Sequence, residues 1–63
     1  MAKFAAKDGE IEVPEALIAR MADRMRRLGG KGRREQYAAK ARARIDTGST
    51  RPVDAAIVLA AGG

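Results

Sequence analysis

The chain has 63 residues, no cysteine, no histidine and a formal net charge of +5. A chain this short forms one domain and buries only about 60% of the surface its unfolded form exposes, so it usually needs a disulfide, a metal or a partner. Composition excludes disulfides and the usual zinc ligand sets, which leaves a second copy or a larger assembly as the expected stabiliser.

Residues 3–13, KFAAKDGEIEV, read as a β-hairpin, because Asp8-Gly9 suits the two φ > 0 centres of a type I′ turn. A turn there sets Lys7 opposite Glu10, Ala6 opposite Ile11 and Phe4 opposite Val13. Phe4, Ala6, Ile11 and Val13 share one face; Lys3, Lys7, Glu10 and Glu12 share the other, with Lys7 and Glu10 as a cross-strand ion pair. A lone hairpin is not stable, so its apolar face needs a cover.

The expected cover is a helix over 14–28. Pro14 suits a first turn and Glu15 complements the positive end of the helix dipole. Leu17, Ile18, Met21, Met25 and Leu28 form one stripe at 100° per residue, expected to pack on Phe4, Ile11 and Val13. Gly29 suits a C-cap. Gly29 to Gly32 then reads as a connector. Its Gly-Lys lacks the spacing and the hydroxyl residue of a phosphate-binding P-loop.

A second helix is expected over 33–45, with a narrow stripe of Tyr37, Ala38, Ala41 and Ile45. Alternation over 41–45 also fits a strand, but Ala and Arg favour helix. Residues 46–52 are a loop by composition. Val53 to Ala61 is apolar nearly all round and fits a strand or a helix; a run this short does not decide by period. The expected fold class is α+β, a small single domain. Nothing approaches the roughly 20 apolar residues of a membrane span, and no secretory signal opens the chain. The expected setting is the cytoplasm, or a particle assembled there.

Between Arg20 and Ile45 stand ten Lys and Arg against Asp23 and Glu35, whereas both flanks are mildly acidic. A field concentrated this way acts on polyanions. The expected contact residues are Arg20, Arg24 and Arg27 along the first helix, Lys31 and Arg34 at the start of the second, and Arg33, Lys40 and Arg44 along one side of it. Arg binds phosphate oxygens in pairs. Tyr37 is the one aromatic nearby, so no stacking platform for single strands is indicated. The same cations also suit an acidic protein surface. The expected function is therefore non-enzymatic binding to nucleic acid or a nucleoprotein through residues 20–44. The alternative is a structural subunit, such as a virion component, making protein contacts only. A homo-oligomer or a larger assembly suits both.

Catalysis has little to draw on. Without His or Cys, a nucleophile would come from Ser49, Thr47 or Thr50, residues that usually serve turns and caps. Glu10, Glu12 and Glu15 read as solvated charge. No catalytic residue, metal ligand or cofactor is expected.

Two stretches resemble known families. EIEVPEALIARMADRMRRLGGKGRREQYAAKA is similar to the start of a ribbon-helix-helix DNA-binding domain, which implies a strand that dimerises and two helices over residues 10–45. Outward Glu10 and Glu12 depart from that family, whose strand contacts bases. KDGEIEVPEALIARMADRMRRLG with IVLAAGG resembles ubiquitin-like sulfur carriers of the β-grasp fold. That likeness implies an apolar last strand, a reactive carboxylate on Gly63, and Gly62 as clearance. The basic middle, 31–52, lacks that family's strands.

Overall fold

A computed structural model describes residues 1–7 and 9–62. The fold is α+β: strands β1 (Ala2–Ala6) and β2 (Gly9–Val13) form an antiparallel hairpin, followed by helices α1 (Glu15–Arg26), α2 (Lys31–Asp46) and α3 (Pro52–Gly62). Alternation produces the hairpin as expected: Ile11 and Val13 are buried, Ala2, Phe4 and Ala6 are half-buried, and Lys3, Ala5, Glu10 and Glu12 are exposed.

The register differs from expectation by two residues. Phe4 lies opposite Ile11, Lys3 opposite Glu12, and Ala6 opposite Gly9. A slip of two keeps every side chain on its own face, so the hydrophobic pattern does not distinguish the two pairings. The observed one sets an aromatic directly against a β-branched residue and a cation against an anion. It also places Gly9 at φ +140°, which costs glycine least. Lys7 lies beyond the last pair, and among the described residues it makes no ion pair with Glu10. The expected turn residue Asp8 lies outside the described residues.

Pro14 is the N-cap of α1, not its first helical residue; its carbonyl accepts from the amides of Leu17 and Ile18 at 3.0 and 3.2 Å. The α2 helix starts two residues earlier than expected, at Lys31. It ends in a Schellman arrangement: Gly48, at φ +114°, donates to Ile45 O at 3.0 Å, and Ser49 donates to Arg44 O at 2.9 Å. Gly48→Ala should cost about 1–2 kcal/mol, because a Cβ disfavours that φ while meeting no neighbouring atom. A urea titration checks this.

Residues 52–62 are helix, not strand. Asp54, Ala55, Ala56 and Ile57 are four consecutive buried residues, which places burial on every side of the α3 axis. A helix apolar all round belongs at the centre of a fold, and α3 packs against α1, α2 and β2. This adds a layer to the expected packing. The α1 stripe, with Met21 and Met25 buried, shares one core with Ile11 and Val13 of the hairpin, and α3 lies between them as the main helix contact of both α1 and β2. Ala41 and Ile45 bring α2 onto the same core. The two family likenesses end here as guides to fold. The sulfur-carrier likeness implied a final strand where α3 stands, and the ribbon-helix-helix likeness implied an unpaired strand where β2 already pairs with β1. No helix among the described residues is long and apolar enough to cross a membrane.

One charge lies in this core. Asp54 is only 2% exposed. Arg44 Nε donates to Asp54 Oδ1 and Ser49 Oγ donates to Oδ2, each at 2.8 Å. Ser49 Oγ in turn accepts from the Arg51 amide at 3.3 Å. Burial alone pushes the Asp54 carboxyl up. The Ser49 and Arg44 hydrogen bonds, with the Arg44 and Arg51 charges, outweigh it and hold the carboxyl below its ordinary value. A depressed carboxyl contributes stability above its unfolded value of about 3.9, and that contribution is lost as pH falls through the folded value. Thermal melts of Asp54→Asn should therefore lack part of the wild-type acid sensitivity below about pH 4.

Candidate nucleic-acid interface

The basic block of the sequence does not form one patch. At 100° per residue, Arg20, Arg24 and Arg27 follow one flank of α1, whereas Arg26 projects from the other. Likewise Arg33, Lys40 and Arg44 follow one flank of α2, with half-buried Tyr37 at their edge, and Lys31 and Arg42 take the opposite flank. Arg26, Lys31, Arg34 and Arg42 meet around a groove between α1 and α2, whereas the Arg20 and Arg33 stripes lie on the flanks away from it. Three basic surfaces result.

Their cations are not equivalent. Asp23 Oδ1 accepts from Arg26 at 3.0 Å, and Asp23 Oδ2 lies 3.2 Å from Arg27. Arg44 is committed to Asp54, so this predicted contact residue holds the core, and charge reversal there would test folding before binding. Arg20, Arg24, Lys31, Arg33, Arg34, Lys40 and Arg42 are exposed and have no carboxylate within ion-pair distance among the described residues. Arg26 and Arg42 were absent from the sequence-derived set. Their helical angle relative to Lys31 and Arg34 was the available signal, but it acquires meaning only once α1 and α2 are known to face one another.

The start of α2 is electrostatically unusual. Glu15 opens α1 and Asp54 opens α3, both complementing the dipole. The α2 helix opens on Gly30, which supplies no side-chain cap, and has no acid in its first turn. Lys31, Arg33 and Arg34 stand there instead, beside backbone amides that lack intrahelical partners. Each cation near a positive helix end costs about 0.3–1 kcal/mol at an exposed site, and Gly32 adds about 1 kcal/mol relative to alanine. An incoming phosphate would reverse the electrostatic part of that cost.

Three of the candidate residues for chemistry, Thr47, Ser49 and Glu15, make contacts within the fold. Thr47 Oγ1 donates to Ala43 O and Arg44 O at 3.1 and 3.0 Å, and Ser49 serves Asp54. Glu15 lies 3.7 Å from the Met1 amine. Among the described residues no cluster of carboxylates that could hold a metal ion occurs. No family model matches the chain, and comparison with curated proteins and with solved structures likewise finds no match.

Proposed function

We propose that this protein is a non-enzymatic basic module that binds the phosphate backbone of nucleic acid at the corner between α1 and α2. The observation that carries the reading is the start of α2: an N-cap with no side chain, three cations in the first turn and no acid. Local rules broken at a cost in stability mark functional surfaces more often than structural ones. The Arg20, Arg24 and Arg27 stripe along α1 is a separate basic surface, and Arg27 is already paired with Asp23. Lys40 continues the surface along α2. Tyr37, the one aromatic within the basic block, is half-buried, so contact runs through charge and backbone shape rather than base stacking. Such a module acts in the cytoplasm or in a particle assembled there, alone or as part of an oligomer.

Fluorescence anisotropy of labelled duplex DNA across a salt series tests this. Three phosphate contacts, from Lys31, Arg33 and Arg34, predict a slope of log K against log salt of about −2.7. Absence of binding at the lowest salt would overturn the reading.

A further inference from the structure

The α1 and α2 helices both pack on α3 but hardly on each other. Between them runs a groove of about 760 Å³. Its walls are alanines: Ala19 and Ala22 from α1, Ala38 and Ala39 from α2. Val58 and Ala61 of α3 contribute to its floor. Arg26, Lys31, Arg34 and Arg42 stand around it against one acid, Glu35. A backbone flanked by alanine lets another backbone approach to the short end of the 8–10 Å range of helix packing. A helix about 10 Å across, rising 1.5 Å per residue, fills this volume with roughly six residues, close to two turns.

We propose that the groove is the docking site for an acidic amphipathic helix of another protein. The apolar stripe of such a helix would lie on the alanine walls, and its carboxylates would meet Lys31, Arg34 and Arg42, the rim cations with no carboxylate partner among the described residues. Charge decides between occupants. A second copy would bring its own basic helices toward basic walls. Nucleic acid would satisfy the rim but leave the alanine and valine surface without a partner. The site is independent of the nucleic-acid reading except for Lys31 and Arg34, which stand at the edge of both surfaces.

The probe is a fluorescein-labelled, acetylated peptide of about 14 residues, near the shortest length at which an isolated helix is marginal in water. It carries Leu at i, i+3, i+4 and i+7 and Glu at most other positions. Its control has the same composition scrambled to break the helical period. The amphipathic peptide should bind at least about tenfold tighter than the scramble. In ¹⁵N spectra of the unmodified protein, the largest shifts should fall on Ala19, Ala22, Ala38 and Ala39. Ala39→Trp, at an exposed position, should weaken the peptide about tenfold, whereas Gln36→Trp, exposed and outside the groove lining, should not. Equal binding of the scramble would overturn the proposal, as would shifts confined to the Arg20–Arg24 or Arg33–Lys40 flanks, or no binding by either peptide. Salt-dependent DNA binding in the same samples tests the other surface separately, and Ala39→Trp should leave it unchanged.

Discussion

Arg44→Met should destabilise the protein by about 1–3 kcal/mol. Breaking a fully buried ion pair by removing one partner costs about 3–5 kcal/mol. The expected cost lies below that range because the Arg44 side chain is half exposed and Ser49 still donates to Asp54. Total stability for 63 residues is roughly 3–9 kcal/mol at 0.05–0.15 kcal/mol per residue. One substitution therefore removes a large share of it, and the melting temperature should fall by roughly 5–20 °C. Adding Asp54→Leu to this variant should restore most of the loss, since an apolar pair of similar volume replaces a buried ion pair at little cost. Arg26→Ala is the comparison: its bond to Asp23 is exposed, so its loss should cost under about 1 kcal/mol. If Arg44→Met melts no earlier than Arg26→Ala, the buried carboxylate does not depend on Arg44.

The second large effect combines two opposite signs. Changing Lys31, Arg33 and Arg34 together to Gln should reduce the DNA salt slope by about 2.7, from three lost phosphate contacts. At low salt the affinity should drop by more than about tenfold. The free protein should become more stable, by about 1–3 kcal/mol, because three cations no longer oppose the start of the α2 dipole. That corresponds to a rise of at least roughly 4 °C in melting temperature. A solvated, functionless charge face predicts the gain in stability without the loss of affinity. A purely structural role predicts neither, so anisotropy and thermal melting on one variant separate the three cases.

Much of the fold was legible because local chemistry and periodicity agreed. Phe4, Ile11 and Val13 alternate with Lys3, Glu10 and Glu12, which fixes the faces of the hairpin. Register was not legible, since Phe4 opposite Ile11 and Phe4 opposite Val13 keep the same faces. The α1 helix was readable from Leu17, Met21 and Met25. The α2 start was not, because Gly30 and Gly32 suggest a loop while Gly30 serves as a cap and Gly32 is absorbed into the first turn. Residues 53–61 had no period to read, because burial on every side removes the polar face that would mark either a helix or a strand. Asp54 interrupting that apolar run was visible, but its partner, Arg44, stood in a block that reads as uniformly solvent-facing. Summing charge along residues 20–45 gave one basic surface. Helical geometry divides it into three, and only the packing of α1 and α2 on α3 shows which cations share a rim.

The central helix is also the last element of this sequence to leave the ribosome. Until residues 52–62 emerge, β2, α1 and α2 have no common surface on which to bury Val13, Met21, Met25 and Ile45. Contacts between β2 and α3 close a loop of about 40 residues, a slow step for so small a chain. Without α3, Met21 and Met25 stay exposed beside the arginines of their own helix, so the hairpin and the first two helices take their order from an element that follows them in the chain.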